Sequence, residues 1–242
     1  EWIAQEKFDG RNRLFVKDEY GVLHAGNKKG EIVEVSKSIY DAVGRIELDS
    51  FAINGEDMGN KIMVFDLIVD HLSYEQRWSI LKEAFKNLGR VKKIQLVETA
   101  IGKLAKQSML KRLKEDNREG IVFKNKFSIH TPGRPASKGD MIKFKFTKTV
   151  SCMVTGHHPE KSSISLGLFN DEYGIVDVGN ATVYVGKDKP AVGSVVEIKY
   201  LYAFEGGKIY QPVLLGERDD VTSAECVMKQ LVYKAVDADE EE

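Results

Sequence analysis

Apolar positions in the first 70 residues recur in short alternating runs broken by turn-forming residues. "NRLFV" (12–16), "GVLHA" (21–25), "RIELDSFAI" (45–53) and "KIMVFDLIV" (61–69) each read as a strand, because a period of two marks an extended, half-buried segment. The period then changes. In "LSYEQRWSILKEAFKNLG" (72–89), Trp78, Leu81, Phe85 and Leu88 form an apolar stripe at helical spacing. Ser73 and Gln76 predict a capping box at its start, and Gly89 predicts its end. A short strand, "KIQLVET" (93–99), follows. A second amphipathic helix is expected over about 100–116, with Ile101, Leu104 and Leu113 facing inward. "EGIVFKN" (119–125) and "DMIKFKF" (140–146) are two further strands, separated by a polar loop containing Pro132, Gly133, Arg134 and Pro135.

Beyond residue 148 the helical period disappears. "VSCMVTGHH", "SISLGLF", "GIVDVG", "SVVEIKYLYAF" and "KIYQPVLLG" follow one another with glycine-rich turns between them. Five short strands in this arrangement predict a small Greek-key barrel of the OB type. The pattern therefore predicts an α+β domain over 1–147, a barrel domain over 148–235, and a disordered acidic tail over 236–242.

Composition adds limits. A chain of 242 residues fits one large or two modest domains, and 42% hydrophobic residues suffice for real cores. No apolar run approaches the length of a membrane span, and no basic segment followed by an apolar one marks a signal peptide. A cytoplasmic, intracellular location without membrane association is expected. Cys152 and Cys226 are far apart and lack metal-type spacing. They could pair, but buried free thiols in a reducing compartment are the favoured expectation. The net charge of −1 argues neither for nor against a nucleic-acid partner. Removing the tail acids Asp237, Asp239, Glu240, Glu241 and Glu242 leaves a remainder of +4. Positive charge clusters at Lys103, Lys106, Lys111, Arg112 and Lys114, and again at Arg134, Lys138, Lys143, Lys145 and Lys148. These are either two solvated surfaces or two patches facing phosphates.

The candidate chemistry starts at "EKFDGRN" (6–12). Asp9-Gly10 is a hairpin-turn signal, because both residue types tolerate positive φ. The same stretch places an amine, Lys7, two positions before a carboxylate. Further along stand Glu56 at the end of "INGE", Phe65 and Asp66 in "VFDLIVD", Glu119 and Lys124 in "EGIVFK", Lys143 and Lys145 in "IKFKF", and Arg218 and Asp220 in "GERDD". Each is weak alone: a Lys-x-Lys strand is usually one solvated face of a sheet, and an aromatic in an apolar strand is usually core.

The order and spacing of these segments resemble the covalent nucleotidyltransferase superfamily, which includes ATP-dependent polynucleotide ligases and messenger-RNA capping enzymes. The resemblance runs from Lys7 to about Arg218. It implies a nucleotidyltransferase domain of ATP-grasp-like antiparallel sheets with helices, followed by an OB-fold barrel. It also implies the chemistry. A lysine amine attacks the α-phosphorus of ATP, expels pyrophosphate and holds AMP. Since lysine ordinarily titrates near 10.4, the attacking amine needs help to be neutral, and positive charge nearby supplies it. By this resemblance Lys7 is the adenylated nucleophile and Asp9 orients the site. Glu6, Asn12 and Glu56 contact the nucleotide, with Glu56 on the ribose. Phe65 stacks on adenine, Glu119 helps to bind Mg2+, and Lys143 and Lys145 contact the α-phosphate. Arg218 orients the leaving pyrophosphate. Arg11, Arg13, Arg134 and Lys138 are the expected nucleic-acid contacts. The implied partner is nicked duplex nucleic acid, DNA foremost, bound by a monomer.

Two features depart from the DNA-ligase pattern. Those enzymes usually carry an arginine five positions after the lysine, whereas Asn12 stands here, as in RNA-repair ligases of the phage type. DNA ligases also often end the last motif with Asp-Lys, whereas this chain reads Asp220-Val221. The barrel pattern pulls the other way, toward small viral DNA ligases. An RNA ligase is therefore the alternative. A GTP-dependent capping guanylyltransferase and a non-catalytic nucleic-acid-binding module are the remaining ones.

Overall fold

The computed structural model describes residues 1–89, 91–132 and 139–234. Gly133, Arg134, Pro135 and Lys138 of the polar loop, and the acidic tail, lie outside the described residues. The chain divides into two compact units, one of residues 1–115 with 119–144, the other of residues 116–118 with 145 onward.

The first unit contains, in chain order, β1 (Trp2–Lys7), β2 (Arg11–Lys17), β3 (Leu23–Gly26), α1 (Lys37–Gly44), β4 (Phe51–Asp57), β5 (Ile62–Leu67), α2 (Tyr74–Leu88), β6 (Ile94–Leu96), β7 (Thr99–Ala100), α3 (Lys103–Glu115), β8 (Gly120–Asn125) and β9 (Met141–Lys145), whose last residue falls in the second unit. They build two sheets, of order β7-β1-β8-β9 and β3-β2-β4-β5-β6. One core, including Phe15, Ile39, Ile53, Ile62, Leu81 and Ile94, gathers side chains from β2, β4, β5, β6 and both α1 and α2. The capping box of α2 forms as expected. Ser73 Oγ accepts from the Gln76 amide, and the Gln76 side chain accepts from the Ser73 amide at 2.9 Å.

The Asp9-Gly10 turn departs from the hairpin expectation. β1 pairs with β7 and β8, and β2 pairs with β3 and β4, so the turn carries the chain from one sheet to the other. Nor is Gly10 among the residues with positive φ. What requires glycine is crowding: a Cβ there would sit 2.4 Å from the Asp57 carbonyl oxygen and 2.9 Å from Met58 Sδ. The end of β4 therefore packs directly on the backbone next to Lys7.

The second helix also differs. Met109 and Leu113 are its buried residues, one turn apart on one face. Ile101 and Leu104 are 68% and 79% exposed. Nine residues separate Leu104 from Leu113, which is two and a half turns, so the two cannot share a face. Ile101 precedes the helix altogether. "RIELDSFAI" is strand only from Phe51, and "KIQLVET" splits into β6, parallel to β5, and β7, antiparallel to β1.

The second unit contains β10 (Lys148–His157), β11 (Ser163–Phe169), β12 (Ile175–Thr182), β13 (Val195–Tyr200) and β14 (Val213–Arg218), closed into a barrel of order β10-β11-β12-β14-β13. Alternate residues such as Cys152, Val154, Ile164, Leu166, Val196 and Ile198 fill its interior. Cys152 and Cys226 are both free and buried. Burial pushes the Cys226 thiol up to about 11 and the Cys152 thiol further in the same direction. No described helix is long and apolar enough to cross a membrane.

Candidate active site

β1 and β8 run antiparallel, with Lys7 opposite Gly120. This register brings Glu119, one residue before β8, next to the end of β1. Lys7 Nζ donates to Glu119 Oε2 at 2.5 Å, although 112 positions separate the two residues. Glu119 is only 6% exposed. A buried carboxylate of this kind is held by its partner, because isolated charge is costly away from water.

Glu56 arrives from the other sheet, where Asn12 in β2 faces it across the ladder. Burial raises its carboxyl above the ordinary 4.5. Lys7 opposes that shift, Glu119 reinforces it, and the Gly10 amide and Lys143 oppose it. Lys7, Gly10, Glu56, Glu119 and Lys143 therefore form one electrostatic cluster drawn from separate chain segments. Asp9 lies in the turn between Lys7 and Gly10, and Glu6, the penultimate residue of β1, faces Ile121 of β8.

Asn12 Nδ2 donates to Asn54 Oδ1 at 2.8 Å. That fixes the Asn12 amide and leaves its carbonyl oxygen as an acceptor. Asn54 sits in the "INGE" stretch, but spacing alone gave no reason to choose it. Arg11 is exposed. Arg13 is mostly buried, 3.5 Å from Asp57 Oδ2, and donates to the Asn12 carbonyl at 3.2 Å.

Phe65 is partly buried against the core of the first unit. Lys124 lies beneath it, 3% exposed, with its ammonium 4.8 Å from the Phe65 ring centroid and 4.5 Å from that of Tyr74. Its Nζ also donates to the Phe65 carbonyl at 2.8 Å. The Tyr74 hydroxyl donates to the same carbonyl and accepts from Gln5 Nε2 at 2.7 Å. Burial lowers Lys124 to about 8. Lys124 and Tyr74 thus support the Phe65 backbone and ring, a role that the strand pattern of "EGIVFK" did not disclose. Asp66 points the other way. It accepts from Arg77 Nε at 3.0 Å and from Nη2 at 3.2 Å, a buried pair linking β5 to α2.

Lys143 and Lys145 separate in their contacts. Lys143 is exposed and acts on Glu56, while Lys145 Nζ donates to Gln211 Oε1 at 2.9 Å in the second unit. Arg218 ends β14, where it bonds Glu197 at 3.0 Å, Asp220 at 2.5 Å and Ser151 Oγ at 3.2 Å.

Among the described residues, no three His, Cys, Asp or Glu side chains gather into a metal cage. Glu56 and Glu119 supply hard carboxylate oxygens beside Lys7. That donor set fits Mg2+, which is commonly held by one or two carboxylates and completes its shell with water and phosphate oxygens.

Solved structures share this fold. A DNA ligase of the Lig E type, described as binding DNA with a minimal scaffold, matches with TM-score 0.69 at 18% identity over 90% of this chain and 93% of that one. The ligase domain of M. tuberculosis LigD matches with TM-score 0.53 at 17% identity over 93% and 92%. A mycobacterial DNA ligase D complexed with ATP and MES gives TM-score 0.52 at 19% identity over 93% and 92%. No curated protein matches the chain. The RNA ligase family model matches residues 1–145, the stretch that holds Lys7, Glu56, Phe65, Glu119 and Lys143. By that match, and with the fold of the polynucleotide ligases around it, the chain belongs to the RNA ligase family.

Proposed function

We propose that this protein is an ATP-dependent polynucleotide ligase that seals nicks between a 5′-phosphate and a 3′-hydroxyl, in DNA foremost. The observation that carries the reading is the Lys7–Glu119 contact at 2.5 Å, set beside Glu56 and Lys143. Attack needs the free amine, so Lys7 must leave Glu119, with its proton passing to water. Its nitrogen then forms a bond to the α-phosphorus of ATP as the bond to pyrophosphate breaks. Lys143, whose charge acts on Glu56, supplies cationic charge to the phosphate oxygens during this transfer. Glu56 takes the ribose, and Phe65, backed by Lys124, stacks on adenine. Asn12, fixed by Asn54, accepts or donates a bond at the nucleotide. When bound through Glu119 and the phosphates, Mg2+ supplies neutralising charge. AMP next passes from Lys7 to the 5′-phosphate, freeing the amine. The 3′-hydroxyl then attacks that phosphorus and AMP leaves.

The closed barrel, with its fourth and fifth strands exchanged in order, supports an OB fold and a two-domain ligase with its boundary near 147. Lys145 and Arg218 are engaged within the second unit. Their assignment to the α-phosphate and to pyrophosphate requires those bonds to exchange for phosphate ones. Arg11 is the exposed candidate for the nucleic-acid backbone.

A second reading, an RNA ligase using the same chemistry, is favoured by the family match over residues 1–145 and by the Asn12–Asn54 pair. Incubation with α-labelled ATP and magnesium tests the chemistry. Denaturation-stable label is expected on the protein and absent from Lys7→Ala, and an unlabelled wild type ends the reading. Sealing of nicks with DNA or RNA on the 3′-hydroxyl side then assigns the substrate.

A further inference from the structure

Gln5 lies in β1, two residues before Lys7. Residues i and i+2 of a strand point the same way, so its side chain leaves the sheet on the side that Lys7 does. It does not meet solvent, being 1% exposed. A residue so enclosed cannot touch a nucleotide. It touches the support of Phe65 instead. Its Nε2 donates to the Tyr74 hydroxyl at 2.7 Å and to Thr99 Oγ1 at 2.9 Å. Its Oε1 is buried without a hydrogen-bond partner.

Tyr74 begins α2 and passes the link on. Its hydroxyl donates to the Phe65 carbonyl at 2.9 Å, and its amide donates to the Ser128 carbonyl at 2.8 Å. Burial pushes the phenol well above its ordinary 10.0, so the hydroxyl keeps the proton it donates. Lys124 of β8 completes the join, donating to the same carbonyl at 2.8 Å and to the Tyr74 hydroxyl at 3.4 Å. Two donors then occupy both lone pairs of the Phe65 carbonyl. β1, β7 and β8 belong to one sheet and β5 to the other. The Asp9-Gly10 turn joins the sheets beside Lys7, and this network joins them again beside Phe65.

A network that only held the core together would do better without the Gln5 amide. A buried oxygen with no partner costs stability. With leucine at position 5, each hydroxyl would still have a partner: Tyr74 the Phe65 carbonyl, and Thr99 the Val97 carbonyl at 3.5 Å. The amide is a poor choice for packing and a good one for fixing a distance.

We propose that Gln5 and Tyr74 are positioning residues for the adenylation step, fixing the ring of Phe65 relative to the strand that carries Lys7. The inference rests on the ligase reading. In that reading the base stacks on a platform in one sheet and the nucleophile comes from the other. Play between the sheets then becomes play between the amine and the α-phosphorus. A displacement of about 1 Å can slow a reaction between bound groups roughly a hundredfold.

The test follows label from α-labelled ATP onto the full chain, quenched at intervals over a range of ATP concentrations. It yields the limiting rate and the half-saturating concentration separately. Gln5→Leu is expected to lower the limiting rate roughly tenfold with half-saturation little changed, while melting at or above the wild-type temperature. Tyr74→Phe keeps the ring against Trp78 and Lys124 and removes only the hydroxyl, and its rate should fall by a similar factor. The double variant should be about as slow as the slower single one, because both break one bridge. A wild-type rate in Gln5→Leu overturns the proposal. So does a slow Gln5→Leu with a lowered melting temperature, which would make the residue merely structural. A rise in half-saturation that accounts for the whole loss overturns it too, by assigning both residues to binding. Multiplying losses in the double variant would show that the two act separately, with the same result. A wild type that takes up no label overturns the ligase reading and this inference with it, whereas a labelled wild type beside an unaffected Gln5→Leu strikes the positioning role alone.

Discussion

Glu56 carries a proton more readily in the fold than in the unfolded chain, because burial outweighs the pull of Lys7. The direction fixes a pH dependence. A raised carboxyl contributes stability below its unfolded value near 4.5, and that contribution is lost as pH rises through the folded value. Glu56→Gln removes this titration and keeps an acceptor for the Gly10 amide. Its melting temperature should therefore gain on that of wild type as pH rises above about 4.5. Its apparent affinity for ATP at neutral pH should fall roughly tenfold, as expected for one charge-assisted hydrogen bond. Melting curves at pH 4 and pH 8, set beside ATP titrations, separate the two effects. A loss of stability at pH 8 would mean that Glu56 is held as a structural anion instead. At this scale the order of the segments foretold that Lys7, Glu56 and Glu119 would meet, which they do. The role of Lys124, which the motif order singled out, and the choice of Asn54 were not foretold, because what marks them is a partner in space: the carbonyl and ring of Phe65, and the amide of Asn12.

Between elements, one buried polar link is the pair of Asp66 in β5 and Arg77 in α2. Arg77 also donates to the carbonyls of Leu72 and Ser128, at 2.7 Å and 3.2 Å, so one guanidinium ties a strand, a helix start and a distant loop. Removing one partner strands a buried charge, at a cost of roughly 3–5 kcal/mol. Asp66→Ala and Arg77→Ala should each lose stability on that scale in urea titrations, and the double variant carrying both should lose less than their sum. Additive losses would show that the two residues act separately. Asp66 stands beside Phe65 in sequence, yet successive residues of a strand face opposite ways, so one serves the proposed nucleotide site and the other the scaffold. The same alternation made the strands readable. It failed at β1, whose Ile3, Ala4 and Gln5 are all buried and so show no period of two. It failed at the Asp9-Gly10 turn because the turn signal does not say which sheet comes next.

At the scale of the whole molecule, the loss of helical period near residue 148 falls close to residue 145, from which the second compact unit runs onward. The described structure supplies what the pattern could not, the closed order of the barrel. The charge of the whole chain, −1, gives no long-range attraction for a polyanion. Under the proposed function, binding of nucleic acid rests on local cations, while the five acids among residues 237–242 oppose approach. Screening limits that opposition to about 10 Å at 0.1 M salt. Deleting residues 236–242 should therefore raise affinity for a nicked duplex several-fold at 50 mM salt and leave it unchanged near 0.5 M, where the screening length is a few ångströms. Association rates should carry most of the gain, since steering acts on encounter more than on the bound state. An equal gain at both salt concentrations would mean that the tail competes for the binding surface by direct contact, and its acids would then be occupying the phosphate positions themselves.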